Sequence, residues 1–223
     1  MARTSLARYE QMLWAAGLGP VAGADEAGRG ACAGPLVAAA VILSSEPDQA
    51  IPGLNDSKLL SPSARDRLYP LILRQAAACS WVAVQASQCD AMGLQAANLH
   101  ALRQAVLGLK VRPGFVITDG FGVDGLDCPS LGMWKGDRVA ACVAAASIIA
   151  KVTRDRIMDE LDEIYPGYQF DKHKGYATAV HQSHLEELGP CGQHRLSYGN
   201  VAKANKGERL SDPQIERGST SLG

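Results

Sequence analysis

The sequence lacks any long apolar run. No stretch reaches the roughly 18–20 uninterrupted apolar residues that a membrane span requires, and the Ala-rich run over residues 37–43 is far shorter. Residues 1–16 contain Arg3, Arg8 and Glu10 and do not form the apolar core of a secretory signal. These absences argue against a membrane or secreted protein and predict a cytoplasmic one.

The sequence also lacks paired cysteines and an excess of positive charge. Its 6 cysteines form no C-x-x-C pair and no zinc-ribbon spacing, so we expect small, reduced and largely buried side chains. The 22 Lys and Arg residues nearly balance the 23 Asp and Glu residues, giving a formal net charge of -1. This balance is weak evidence against nucleic-acid binding, because a nuclease needs only local basic patches.

The 223 residues, 47% of them hydrophobic, are enough for one sizeable core. We predict an N-terminal segment over residues 1–17, one catalytic domain over residues 18–200, and a flexible polar tail over residues 201–223. No internal repeat is visible.

Strands and helices are expected to alternate along the domain. Ser61 and Pro62 are suited to the start of a helix, and Pro70 is expected to end or kink that helix early. Helical spacing of apolar residues continues over 96–109 and 144–164. Strands are predicted over residues 21–25, 35–43, 81–85, 115–118 and, most weakly, 131–135. This order predicts an α/β fold with a mixed sheet flanked by helices.

Two adjacent carboxylates, Asp25 and Glu26, stand at the end of the first predicted strand. Adjacent strand residues point to opposite faces, so both can serve one site only if the strand ends there and the chain turns. Gly28 and Gly30 permit such a turn. An acidic strand end exposed to water is an equally good interpretation of these residues alone.

Two further carboxylates stand where sheet proteins often carry sites. Asp119 ends the strand predicted over 115–118, although Asp-Gly is also a common turn. Asp137 precedes an apolar run, where it can simply favour the positive end of a helix. Together with Asp25 and Glu26 they are hard oxygen ligands, suited to a pair of Mg²⁺ or Mn²⁺ ions that hydrolyses phosphodiesters. We interpret the remaining acids of these regions as surface charges: Asp124, Asp127 and Asp155.

Gly28-Arg29-Gly30 is a candidate ligand-binding turn. Small residues let backbone N–H groups approach a ligand, and Arg29 can reach a phosphate. The spacing excludes a P-loop, because no G-K-[ST] follows, and it excludes G-x-G-x-x-G, because the next glycine is Gly34. On spacing alone, a tight structural turn is the better interpretation.

Two basic and aromatic segments are candidates for nucleic-acid contact. Residues 172–176, KHKGY, offer cations for phosphate and the Tyr176 ring for stacking on a sugar or base. A solvated charged loop is the ordinary alternative. His194 and Arg195, with Tyr198, predict a weaker second patch.

Taken in order, these segments resemble the ribonuclease HII family. The resemblance covers roughly residues 18–200, and several separate motifs in the correct order make chance agreement improbable. The motifs are AGADEAGRGACAGPLVAAA at 22–40, DSKL at 56–59, Asp119-Gly120, Lys135-Gly136-Asp137, AAASIIAKVTRDR at 144–156, KGY at 174–176 and HRLSY at 194–198.

The resemblance implies a ribonuclease H-like fold: a mixed five-stranded sheet with helices on both sides, followed by a small helical C-terminal region. It implies that Gly28, Arg29, Gly30 and Tyr176 sense the 2′-hydroxyl at an RNA–DNA junction, and we expect Lys58 to contact phosphate. It also implies that two divalent ions, Mg²⁺ or Mn²⁺, are held by Asp25, Glu26, Asp119 and Asp137.

The implied activity is cleavage of the RNA strand of RNA–DNA hybrids and of single ribonucleotides in DNA. The cut falls 5′ of the ribonucleotide and leaves a 3′-hydroxyl and a 5′-phosphate. We expect a monomer with no membrane partner. A sliding-clamp partner is not excluded, although no clamp-binding motif is identified in the tail.

Two departures and two rivals bear on this assignment. Gly93 replaces a usual Asn, which puts one polar contact near the DNA strand in doubt, and Tyr198 stands where Phe is commoner. Ribonuclease HIII is longer at its N-terminus, whereas only 24 residues precede Asp25. A non-catalytic hybrid-binding protein is the alternative of another class, but such a binder gains nothing from carboxylates that face phosphate.

Overall fold

The computed structural model describes residues 6–44 and 51–205, and their strands form one sheet. The strands are β1 (Val21–Ala27), β2 (Leu36–Leu43), β3 (Ala76–Val84), β4 (Phe115–Asp119) and β5 (Ser130–Met133). Their order across the sheet is β3-β2-β1-β4-β5. Strand β2 pairs antiparallel with β1 and β3, whereas β4 pairs parallel with β1 and β5. The predicted mixed five-stranded sheet is therefore confirmed.

Helices cover both faces of the sheet and form the C-terminal region. They are α1 (Arg8–Ala15), α2 (Pro62–Gln75), α3 (Ala86–Met92), α4 (Leu94–Leu107), α5 (Ala141–Ile164), α6 (Phe170–His173), α7 (Ala179–Leu188) and α8 (Gly199–Ala204). A short 3₁₀ turn, Gly136–Arg138, precedes α5. In the described ranges, no helix is both long and apolar enough to cross a membrane.

The central strands are apolar on both faces because each face packs on a helix. Alternate residues of β2, such as Ala38, pack with Leu102 of α4 on one side. The intervening residues, such as Val37, pack with Ile148 of α5 and Ile72 of α2 on the other. This double burial explains why the β2 segment is a continuous apolar run.

Helix α5 lies unusually close to β1. A Cβ atom added at Gly23 would stand 2.2 Å from the backbone of Cys142, so only glycine permits this approach. The N-terminal helix α1, which the sequence did not predict, also docks here: buried Glu10 accepts a 2.7 Å hydrogen bond from the Cys142 N–H. The start of α5, and the 3₁₀ turn before it, are thereby fixed against the sheet.

Of the two outcomes predicted for Pro70, an early end of α2 is wrong, because the helix continues to Gln75. The Ser61 hydroxyl accepts a hydrogen bond from Ala64 N–H and caps its start. Leu68 and Ile72 are buried on either side of Pro70. Their burial offsets the loss of the one backbone hydrogen bond that proline cannot donate.

The predicted surface patch of His194 and Arg195 is also wrong. Both side chains are buried, with exposures of 3% and 0%. Arg195 donates to the carbonyls of Gly34 and Arg29, and an isolated antiparallel bridge joins His194 to Ala33. This segment therefore anchors the C-terminal region to the chain after β1.

The first residues of the predicted flexible tail lie in α8, where Val201 is fully buried. Residues 206–223 of that predicted tail lie outside the described residues.

Candidate active site

Three carboxylates meet at one end of the sheet. Asp25 lies near the end of β1, and Asp119 ends the neighbouring parallel strand β4, where Ala24 pairs with Thr118. Asp137 lies in the 3₁₀ turn after β5, whose Met133 pairs with Asp119. Each residue offers one carboxylate oxygen, and the three oxygens lie within 4.8 Å of one another.

Backbone groups hold two of these carboxylates in place. The Glu26 N–H donates a 2.7 Å hydrogen bond to Asp25 Oδ1. The Gly136 N–H donates a 2.8 Å bond to Asp119 Oδ1. Asp25 and Asp137 are buried at 6% and 4% exposure, so the strand ends and the turn fix the acids before any ligand arrives.

The cluster carries negative charge that its own neighbours do not balance. Burial, followed by repulsion from Glu26 and Asp119, raises the pKa of Asp25 well above its usual value. Burial and repulsion from Asp119 raise the pKa of Asp137 to about 6. Closely spaced carboxylate oxygens are the ligands that Mg²⁺ and Mn²⁺ prefer. The donor set therefore fits a divalent cation.

Glu26 lies beside this triad and is not one of its three converging residues. Its Oε2 atom is buried and has no hydrogen-bond partner in the described part of the chain. Burial raises the pKa of Glu26, although the nearby Arg29 guanidinium opposes the rise, and Asp119 adds repulsion. An orphaned carboxylate oxygen at this place is a further free ligand atom for a cation.

Lys58 faces the acids from the loop before α2. Burial alone would lower its pKa, but the carboxylates of Asp25, Asp137 and Asp56 together raise it. Sequence reasoning missed what holds this loop. Buried Asp56 accepts hydrogen bonds of 3.0 and 2.9 Å from Arg138 Nε and Nη2, and one of 2.8 Å from the Lys58 N–H.

The Asp56–Arg138 ion pair ties the Lys58 loop to the 3₁₀ turn that carries Asp137. The only sequence signal was the acid next to Ser57 and Lys58, and its partner stands 82 residues away.

The turn after β1 packs against the loop that carries Tyr176. Gly28 has φ +85, and a Cβ atom there would stand 1.8 Å from Arg154 Nε. The N–H groups of Cys32 and Ala33 both donate to the Gly175 carbonyl, at 3.0 and 3.2 Å. The Tyr176 ring is 38% exposed. The two predicted junction-sensing elements therefore form one joined surface.

The Arg29 guanidinium contacts the side chains of Gln95 and Phe121. Its Nη2 donates to Gln95 Oε1 at 2.9 Å, and its guanidinium carbon lies 5.0 Å from the centre of the Phe121 ring. Gly30 has open space where a Cβ would stand, so nothing in the fold itself demands glycine there.

Comparisons with known proteins agree with this geometry. A family model described as Ribonuclease HII matches residues 22–201. Ribonuclease HII of Cutibacterium acnes is 61% identical over 196 residues, covering 88% of this chain and 96% of the relative.

Two solved structures share the fold at 25% identity and a TM-score of 0.70: ribonuclease H2 from Pyrococcus horikoshii, and ribonuclease HII from Archaeoglobus fulgidus in complex with PCNA. The alignments cover 83% and 85% of this chain and 96% and 98% of the other chains. The chain belongs to the ribonuclease HII family, which are endonucleases that hydrolyse RNA in RNA–DNA hybrids.

Proposed function

We propose that this protein cuts duplex DNA on the 5′ side of a single embedded ribonucleotide, as well as the RNA strand of longer hybrids. One observation carries the proposal: Asp25, Asp119 and Asp137 present oxygens within 4.8 Å of one another at the end of the sheet. Such an incision would leave a 3′-hydroxyl and a 5′-phosphate and begin the excision of ribonucleotides from DNA.

In this proposal, Asp25, Glu26, Asp119 and Asp137 hold two divalent ions, Mg²⁺ or Mn²⁺. When bound, such ions activate water and stabilise the charge that develops on the leaving 3′ oxygen. The main-chain bonds to Asp25 and Asp119 keep the carboxylates oriented. The raised pKa values of Asp25 and Asp137 mean that burial and repulsion disfavour their charged forms, and a bound cation would relieve this cost.

The junction itself is recognised by the joined surface of the β1 turn and the Tyr176 loop. Backbone groups of Gly28, Arg29 and Gly30 bond the 2′-hydroxyl, the feature that separates RNA from DNA. The partly exposed Tyr176 ring packs on the deoxyribose beyond the junction. Lys58, whose ammonium stands among the acids on an exposed loop, contacts the phosphate.

The test is digestion of a labelled DNA duplex that contains one ribonucleotide, with Mg²⁺ or Mn²⁺ and with EDTA. We expect a single cut 5′ of the ribonucleotide, only with metal, and none in an all-DNA duplex. Tyr176→Ala should reduce this cut more than cleavage within a long RNA run. A cut on the 3′ side, or a need for several consecutive ribonucleotides, would overturn the junction proposal.

A non-catalytic hybrid binder is the competing outcome. It would retain the hybrid with and without metal and release no product.

A further inference from the structure

Trp134 is the most exposed large hydrophobic side chain in the described ranges, at 81%. An exposed indole lacks the favourable free energy that aromatic side chains normally gain from burial. Its position is far from random, because it lies in the short connection between β5 and the 3₁₀ turn that carries Asp137. An exposed aromatic beside a site marks a surface that a ligand can cover.

The connection that carries Trp134 is held at both ends by contacts to the Asp119 region. On one side, the Met133 carbonyl accepts a 2.8 Å hydrogen bond from the Gly120 N–H. On the other, the Gly136 N–H donates to the Asp119 carboxylate at 2.8 Å. The backbone at Trp134 is therefore fixed relative to the acidic triad.

Lys135 adds a cation to this aromatic. Its Nζ lies 4.0 Å from the centre of the Trp134 ring, and its backbone has a left-handed φ of 55°. A second pair of the same kind stands after β4, where Arg29 lies 5.0 Å from the Phe121 ring. One cation–aromatic pair thus includes Phe121, just after β4, and the other directly precedes the 3₁₀ turn that carries Asp137.

We propose that Trp134 and Lys135 form a substrate subsite that extends the cleavage site along the bound duplex. The indole packs against a sugar of the nucleic acid, and the Lys135 ammonium reaches the adjoining phosphate. Aromatic rings beside cations are the combination that recognises nucleic acid without reading its sequence. The inference rests on the proposed function for the identity of the ligand, a duplex that contains ribonucleotides.

The chain provides a matched control. Trp81 lies on β3, at the opposite edge of the sheet from β5, and is 44% exposed. Trp81→Ala removes the same type of side chain from an edge strand that carries none of the acids and lies two strands from β1. Trp134→Ala should raise KM for the embedded-ribonucleotide duplex about fivefold with kcat unchanged, and Trp81→Ala should change neither.

Fluorescence tests the contact without any cleavage. Of the 3 tryptophans, Trp14 and Trp81 are replaced by Phe, which leaves Trp134 as the sole emitter. Titration with an RNA–DNA hybrid in EDTA should shift or quench its emission and protect it from acrylamide. A protein that retains only Trp81 should show no change.

Salt dependence tests Lys135 separately. Lys135→Met should reduce the slope of log affinity against log salt by about one, as expected for one lost phosphate contact.

The outcomes separate the two proposals. If the duplex binds, by anisotropy of a labelled strand, while Trp134 emission stays unchanged, the subsite is overturned whatever the cleavage assay shows. If Trp134→Ala lowers kcat and leaves KM unchanged, the residue positions Asp119 or Asp137 and the subsite is equally overturned. If no ribonucleotide is ever cut, the proposed function fails, and the emission of Trp134 still decides the contact.

Discussion

Two buried polar clusters of this protein differ in how their atoms are satisfied. The acidic triad, Asp25, Asp119 and Asp137, gathers like charges, and burial together with their mutual repulsion raises the pKa of Asp25 and Asp137. The histidine cluster, His173, His181 and His194, is buried in the C-terminal region. The carboxylates of the first cluster call for a cation from outside the chain, whereas the ring nitrogens of the second cluster find all their hydrogen-bond partners within the protein.

Every ring nitrogen of the histidine cluster has a partner. His173 Nε2 lies 2.7 Å from the Tyr168 carbonyl, and the Gly175 N–H donates to its Nδ1 at 3.2 Å. His181 lies 2.9 Å from the Tyr176 carbonyl through Nδ1 and 3.0 Å from His194 Nε2 through its own Nε2.

His194 completes the set with a 3.1 Å bond that its Nδ1 accepts from the Cys191 N–H. A single set of neutral tautomers satisfies all of these bonds. The cluster is therefore structural, and its hydrogen bonds to Gly175 and Tyr176 hold the loop that carries the Tyr176 ring.

The same contrast applies to buried cations. Arg154 and Arg195 are fully buried, and neither forms an ion pair with a carboxylate in the described part of the chain. Arg154 instead donates to the carbonyls of Pro35, Ala33 and Lys174. A buried charged group therefore indicates a ligand site only when the protein itself does not supply enough hydrogen-bond partners for that group.

The largest expected effect would come from breaking the acidic triad. Asp119→Asn should reduce cleavage about a thousandfold or more, because it removes a negative ligand of the proposed cations, while hybrid binding by anisotropy stays largely intact. In EDTA the same variant should be more stable by about 1 kcal/mol, since repulsion within the triad falls. Urea unfolding measures this gain.

Asp124→Asn is the matched control, because it neutralises an exposed carboxylate only five positions along the chain. It should change neither cleavage nor stability. Normal turnover by Asp119→Asn would remove Asp119 from the site.

The sequence was sufficient to predict the sheet and the elements that carry the acids. Apolar runs with a carboxylate at their end identified β1 and β4, and parallel pairing of those neighbouring strands brings Asp25 and Asp119 together. The burial of His194 and Arg195 was not predictable from local pattern. Their partners Ala33 and Gly34 are some 160 residues away. The local sequence of a basic and aromatic segment is the same whether its side chains bond to a distant carbonyl or to water.

The second prediction concerns Arg195, a buried cation whose guanidinium donates hydrogen bonds to backbone carbonyls. Arg195→Met keeps the length of the side chain but leaves the Gly34 carbonyl without its donors and the Arg29 carbonyl with only the Tyr198 hydroxyl. It should lower the free energy of unfolding by about 3 kcal/mol, measured by urea denaturation. Arg112→Met is its control, because the Arg112–Asp127 pair is exposed at 92% and 91% and such pairs contribute little. Equal stability of the two variants would contradict a structural role for Arg195.

The smallest expected effect is in the pH dependence of stability, where the two clusters act in opposite directions. Burial lowers the pKa of His181 to about 4 and, aided by repulsion from His181, that of His194 to about 3. Below about pH 6.5 the unfolded chain binds protons that the folded histidines refuse. Their contribution to stability is therefore complete above pH 6.5 and is lost as pH falls.

Asp137 behaves in the reverse way between its ordinary pKa of 3.8 and its folded value of about 6. The folded state retains a proton there that the unfolded chain has released, so stability from this group falls as pH rises. Without metal, the two trends act in opposite directions between pH 4 and 6. Removing Asp119 lowers the pKa of Asp137, so Asp119→Asn should lose stability more steeply on acidification, by up to about 1.4 kcal/mol per pH unit. Urea unfolding in EDTA from pH 4.5 to 7.5 measures the slopes; parallel curves for Asp119→Asn, Asp124→Asn and the unaltered chain would show that Asp119 does not act on Asp137.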